Sequence, residues 1–159
     1  MAADKIRIGG ILQERNLRLV GVMSAADRPG LAAAVFQALA AAQVNVQFIV
    51  QCVDLEGDAH MQFCITAEDL PMARGVVERV AAEIGGQMLV RPEPVALVAV
   101  FGPDFRQRPG IAGRAFGALA GAGINILAVS TSISTVTSVI ADDRFAGSVE
   151  ALRGVFDMP

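Results

Sequence analysis

An internal repeat with a period of eighty residues constrains this chain more than any other feature. Arg28-Pro29-Gly30 returns as Arg108-Pro109-Gly110, Phe36 as Phe116, Ala38-Leu39-Ala40 as Ala118-Leu119-Ala120, and Asn45 as Asn125. Ten of the eighteen positions from Arg28 to Asn45 match their partner without a gap, where chance in so Ala-rich a chain gives roughly one to three. The 159 residues are therefore a duplicated module, about eighty residues per copy.

A domain of that size has much surface for its core. The hydrophobic fraction of 53% and mean hydropathy of +0.51 therefore predict apolar surface buried between modules or subunits, and an oligomer. The net charge is −3, with no run of Lys or Arg, so neither nucleic acid nor an anionic membrane is an expected partner. No stretch reaches the length of a signal-peptide core or a membrane span, which predicts a cytoplasmic protein. In that reducing setting Cys52 and Cys64, on neighbouring predicted strands, read as core thiols rather than a disulfide.

Hydrophobic periodicity orders the first module. Asn16 to Met23 reads as a strand, and Pro29 suits the first turn of a helix running through Ala42, with Leu31, Val35, Phe36 and Leu39 on one apolar face. Val44 to Val53 and Ala59 to Thr66 read as strands joined by the turn residues Asp54 to Asp58. A helix from Leu70 to Ile84 follows, with Glu68 and Asp69 near its positive end, and Gln87 to Arg91 is a short fourth strand. The order βαββαβ predicts an α+β, ferredoxin-like module, two helices covering one face of a four-stranded sheet.

The second module offers Val95 to Phe101, a helix from Gly110 to Ala122, strands at Ile124 to Ser130 and Thr135 to Ala141, and a helix near Arg144 to Phe156. It lacks one strand. Lys5 to Leu12 is strand-like and has no partner in the first module, so it is expected to complete the second sheet. The first module (residues 15–92) is then inserted into the second (1–14 with 93–159).

The chemistry to be expected lies at the turns. Where each first strand meets its helix, several backbone N–H groups lack intrahelical partners and the helix dipole is positive, which favours an anion. A free amino acid brings a carboxylate for the amides of Gly30, Leu31 and Ala32 and an ammonium for Asp27. Asn45 carries both a donor and an acceptor for the ligand's main-chain groups, and Gln51 is a candidate for its side chain. In the second copy Gly110, Ile111 and Ala112 repeat the amides, but Gln107 stands where Asp27 stands in the first. Asp-Arg-Pro-Gly is also an ordinary entry to a helix, so the turn alone does not establish binding. No phosphate-cradling loop is present, and His60 has no nucleophile or ligand cluster in the sequence around it, so it reads as a tolerated strand residue. Asp142 and Asp143, between a strand and a helix, read as helix caps.

Taken in order, Ile8-Gly9-Gly10-Ile11, Val20-Gly21-Val22 leading to Asp27-Arg28-Pro29-Gly30, Val44-Asn45-Val46 to Ile49-Val50-Gln51, Ala122-Gly123-Ile124-Asn125-Ile126 and Ser130-Thr131-Ser132 resemble the ACT domain family. More narrowly, they resemble the tandem ACT regulatory region of aspartate kinase. The resemblance implies two ferredoxin-like ACT domains with the first inserted in the second, pairing of two chains through their ACT sheets, and no catalytic residues or cofactor in this chain. It also implies inhibition of a catalytic kinase partner by bound lysine or threonine, with Asn125, Ile126, Ser130 and Thr131 added to the ligand-binding set. Cys52, the segment Phe105-Arg106-Gln107-Arg108, Ile133 and Thr135 depart from the family pattern. That leaves open a scaffold role for the second module or a different ligand. Other classes remain open on the sequence: a free-standing tandem ACT protein that regulates another enzyme or transcription through protein contacts, and a dimerisation module without ligand.

Overall fold

The computed structural model describes residues 5–103 and 105–159. In chain order the elements are β1 (Ile6–Arg7), β2 (Gly10–Ala26), α1 (Leu31–Ala41), β3 (Phe48–Val53), β4 (Asp58–Thr66), α2 (Leu70–Ile84) and β5 (Gln87–Val90). They continue with β6 (Val95–Phe101), α3 (Ile111–Gly121), β7 (Ile126–Thr131), β8 (Thr135–Ala141), a 3-10 turn at Asp142–Arg144, α4 (Phe145–Val155) and β9 (Phe156–Asp157). The chain divides into two units, Asn16–Pro94 and the residues up to Arg15 together with Val95–Pro159. Residues 1–4, the first part of the segment expected to join the second module, lie outside the described residues.

In the unit of residues 16–94, β2 pairs antiparallel with β4 (Leu17↔Thr66 to Ala26↔Asp58) and with β5 (Val20↔Val90 to Met23↔Gln87). β4 pairs on its other side with β3 (Phe48↔Cys64 to Val53↔Ala59). The order is thus β3-β4-β2-β5. Strand alternation sends Val20 and Val22 of β2 and Ala59, Met61, Phe63 and Ile65 of β4 to one face. Leu31, Val35 and Leu39 of α1 and Ala73, Val77, Val80 and Ala81 of α2 pack onto that face as one core. Leu31, Val35 and Leu39 recur every four residues, so they share a helix side, and each contributes about 1.5–3 kcal/mol on full burial. Phe36 meets Phe63 edge to face, ring centroids 5.3 Å apart.

The other unit is built alike. β6 pairs antiparallel with β8 (Val95↔Ala141 to Phe101↔Thr135), and β8 with β7 (Ile126↔Ile140 to Thr131↔Val136). Ile111, Ala115 and Leu119 of α3 and Val149 and Leu152 of α4 cover Ala96, Val98, Val100 and Ile140. Ile8 joins this core, 3% exposed. Five further contacts bind residues 5–15 here. β1 runs parallel to β9 (Ile6↔Phe156, Arg7↔Asp157), and the Ile8 N–H donates to Asp157 O at 2.8 Å. The Gly9 N–H donates to Phe101 O at 2.7 Å, and Arg15 pairs with Asp142 at 2.7 Å while its guanidinium lies 4.7 Å from the Phe145 ring centroid. A Cβ on Gly9 would come within 2.6 Å of the Phe101 ring, which is why the approach needs glycine.

Several boundaries differ from the sequence expectation for local reasons. The N-terminal segment and the first strand are not separate, because Gln13 to Arg15 continue the strand, Asn16 passes through a left-handed conformation (φ 54°) without ending it, and β2 spans 17 residues. The strands expected from Val44 and Ile124 begin later, at Phe48 and Ile126. Left-handed residues Gln43 (φ 60°) and Gly123 (φ 67°) end the helices. The next amides, Val44 and Ile124, then donate back to Leu39 O and Leu119 O at 2.9 Å, completing helix ends rather than starting strands. The last helix stops at Val155 because Phe156 turns extended to pair with Ile6. Asp142 does not cap a helix as expected: its carboxylate receives Arg15, and α4 has no side-chain cap. Asp69 occupies the N-cap position of α2, yet its carboxylate makes no capping bond.

Candidate functional site

β2 ends at Ala26, and the chain turns through Asp27 to Gly30 into α1. The Asp27 N–H donates to Gly57 O at 3.0 Å, fixing the start of the turn to the β3–β4 hairpin. Gly30 is left-handed (φ 97°, ψ −5°) at the N-cap position, a conformation that costs other L-residues roughly 1–2 kcal/mol. The first intrahelical bond runs from the Ala34 N–H to Gly30 O at 2.9 Å. The amides of Leu31, Ala32 and Ala33 precede it, and no side chain caps the helix. A Cβ placed on Gly30 would meet nothing within 4 Å, so the helix mouth opens onto free space. No acidic residue lies in the first turn of α1 to offset the dipole. Asp27, exposed and three residues earlier, is the nearest acid in the chain.

The second copy reproduces this geometry. Gly110 is left-handed (φ 93°, ψ −1°) at the N-cap of α3, the Arg114 N–H donates to Gly110 O at 2.9 Å, and a Cβ on Gly110 would again meet nothing within 4 Å. Leu31 and Ile111 bury their side chains at 3% and 4% exposure, so at these turns they present only backbone. Exposed Gln107 replaces the acid.

The remaining candidate residues fall into two groups. Gln51 stands opposite Met61 on β3, hence on the helix-covered face of the edge strand and toward the Asp27 end. Ser130 and Thr131 lie at the end of β7 that faces the start of α3. Ser132 Oγ, just beyond, binds Thr135 Oγ1 at 2.8 Å and receives the Ser134 and Thr135 amides. Asn45, Asn125 and Ile126 follow the C-terminal ends of α1 and α3. An 11-residue helix therefore separates them from the glycines, about 16 Å at 1.5 Å per residue. Within one unit the asparagine and the turn amides cannot hold the same amino acid.

One cluster was not anticipated. His60 is bonded at both ring nitrogens: Nδ1 receives the Ser24 N–H at 3.1 Å, and Nε2 meets Asp54 Oδ2 at 2.7 Å. Asp54 Oδ1 in turn accepts the Glu56 and Asp58 amides at 3.0 and 2.9 Å. The His60 hydrogen bond, followed by the Asp58 amide, holds the Asp54 carboxyl below the usual carboxylate range, against a smaller opposing effect of burial. The sequence signal was Asp54 six residues before His60 across a turn, a spacing that registers the two only once the hairpin is known. Of the two cysteines, expected as core thiols, only Cys52 differs. Cys64 is buried, and burial pushes its thiol up to about 12, but Cys52 is exposed and stands opposite His60 rather than Cys64. Among the described residues no group of His, Cys, Asp and Glu has an arrangement that could hold a metal ion, and no helix is long and apolar enough to cross a membrane.

Comparison with known proteins bears on the same residues. Residues 18–85 match the ACT domain family, and residues 98–156 match an ACT domain again. The chain is 32% identical over 151 residues to an aspartate kinase of Stutzerimonas stutzeri and 31% identical over 152 residues to an aspartokinase of Helicobacter pylori. It covers 95% of itself but spans only 37% of the length of each of these relatives. Among solved structures it is similar to the ligand-free regulatory subunit of aspartate kinase from Thermus thermophilus, with TM-score 0.84 and 29% identity over 94% of this chain and 99% of that one. It is also similar to a structure of aspartokinase alpha and beta subunits, with TM-score 0.82 and 26% identity over 93% and 97% of the two chains.

Proposed function

From a chain that belongs to the ACT-domain family and carries two of the domains in tandem, we propose a non-catalytic regulatory role in aspartate kinase, exerted by binding a free amino acid of the aspartate family. The observation that carries this reading is the pair of uncapped helix mouths at Gly30 and Gly110, each open to free space, the first with an exposed acid beside it. The effector's carboxylate takes the amides of Gly30, Leu31 and Ala32, and Asp27 takes its ammonium. Gln51 addresses the side chain, which is that of lysine or threonine. Gly110, Ile111 and Ala112, with Ser130 and Thr131, form the weaker second seat because Gln107 brings no charge.

Asn45, Asn125 and Ile126 enter such a site only where another ACT module brings that end to the turn, and we take a second chain paired through its sheets to supply it. Effector then favours the arrangement in which both halves of the seat meet, and the kinase partner moves with that population. Titration of the protein with lysine and with threonine by calorimetry tests the reading. Binding of either that weakens at least about tenfold in Asp27→Asn supports it, that being the weight of one charge-assisted hydrogen bond. Unchanged affinity in Asp27→Asn, or no binding of either amino acid, sinks it.

A further inference from the structure

β2 carries a bulge where it passes His60. The pairs Val22↔Met61 and Ala25↔Ala59 leave Met23 and Ser24 opposite the single residue His60, and Ser24 is left-handed, φ 57°. A non-glycine residue holds that conformation only when its surroundings impose it. Here the restraint is a hydrogen bond: the Ser24 N–H, which the bulge takes out of the β2–β4 ladder, donates to His60 Nδ1 at 3.1 Å. Because Nδ1 accepts, the proton of the neutral ring sits on Nε2 and is donated to Asp54 Oδ2 at 2.7 Å. Asp54 in turn closes the hairpin through the Glu56 and Asp58 amides, and Gly57 O of that hairpin accepts the Asp27 N–H at 3.0 Å. An unbroken run of bonds thus leads from the bulge, through the imidazole and the hairpin, to the first residue of the helix-entry turn.

We propose that His60 is a proton-operated latch on the segment Ser24–Asp27: neutral, it holds the bulge closed through Nδ1, and on taking a proton there it releases the Ser24 amide. A protonated Nδ1 is a donor facing a donor, so the bond cannot survive, whereas the Nε2 contact becomes an ion pair and keeps the ring on the hairpin. The left-handed Ser24 then loses the bond at its own amide and keeps only its flanking pairs, Met23 with Gln87 and Ala25 with Ala59. The titratable groups facing the ring are Asp54, Asp58 two residues earlier on the same face of β4, Glu56 in the turn, and Cys52 opposite on β3; β2 brings the Ser24 amide. Asp54, held low, stays charged throughout the range in which an imidazole titrates.

The link to the effector rests on the function proposed above; the latch does not. The test is amide exchange by NMR on the full chain between pH 7.5 and 5.5, each rate divided by its intrinsic value, alongside the His60 ring resonances. Ser24 protection should fall roughly fivefold to tenfold as His60 protonates, the equilibrium weight of one neutral hydrogen bond, while Val20, ahead of the bulge, holds steady. In His60→Asn, whose Oδ1 replaces the Nδ1 acceptor but takes no proton, the Ser24 response should vanish. Ser24 protection that stays level through the His60 titration overturns the proposal, and so does an Asn variant that responds as the parent does. Should that variant not fold, the parent's titration decides alone. Lysine calorimetry at the two pH values separates the two claims: a Ser24 amide that titrates without any lysine binding leaves the latch standing and removes the effector.

Discussion

Replacing Ile8 by alanine probes where the N-terminal segment belongs, and the size of the effect follows from its surroundings. Ile8 is 3% exposed and packs in one cluster with Val98, Val100, Ile111, Leu119 and Phe156, all of the unit formed with Val95–Pro159. Truncating a buried Ile to Ala removes its transfer free energy and leaves a cavity, which costs about 2–5 kcal/mol. About 3 kcal/mol corresponds to roughly a hundredfold in an opening equilibrium, so the most protected amides of β6, β8 and α3 should exchange about a hundredfold faster. The amides of β4 and α2, whose core contains no residue before Val20, should change far less. Hydrogen exchange read by mass spectrometry resolves the two sets of peptides. Equal acceleration in both, or a larger one in β4 and α2, would show that residues 5–15 do not support the C-terminal unit and would refute the reasoning.

Gly30→Ala should lower stability by about 1–2 kcal/mol, because φ is 97° and a new methyl group there gains no contacts; the urea midpoint reports it, and Gly110→Ala should behave alike. The Asp54 carboxyl is lowered in the folded state, so its contribution is present above the unfolded carboxyl value and lost as pH falls through the folded one. The parent should therefore lose stability on acidification from pH 5 to pH 3 more steeply than Asp54→Asn, as urea titrations at each pH would reveal. A thiol reagent at pH 8 should modify only Cys52 in the native protein, since Cys64 is buried with its thiol pushed up to about 12; rapid labelling of two thiols before unfolding would contradict the burial.

The parts of the fold legible in the sequence are those set by periodicity and duplication. Leu70–Ile84, Val95–Phe101 and Thr135–Ala141 have the bounds that their patterns predict, because each apolar face there meets a core of matching period. The boundaries at Val44 and Ile124 were not legible. Both residues are apolar enough for a strand, but a left-handed residue just before them returns their amides to the helix, and that is a backbone choice hydrophobicity does not encode. The candidate site divides the same way. The turn amides could be read from Asp27 to Ala32 because their geometry is local. The distance between Asn45 and Gly30 depends on α1 running the length of the sheet between them, and the Ser24–His60–Asp54 chain depends on a bulge in β2 that brings Ser24 to His60.

The parallel pairing of Ile6 with Phe156 also orders events during synthesis. β3, β4, α2 and β5 emerge and can close on β2 while the partner of β1 has not yet been made. The 63 residues from Val95 to Asp157 take about 3–13 s to add at typical elongation rates. For that interval Ile6, Ile8 and Ile11 wait on the nascent chain as an unsatisfied apolar strand.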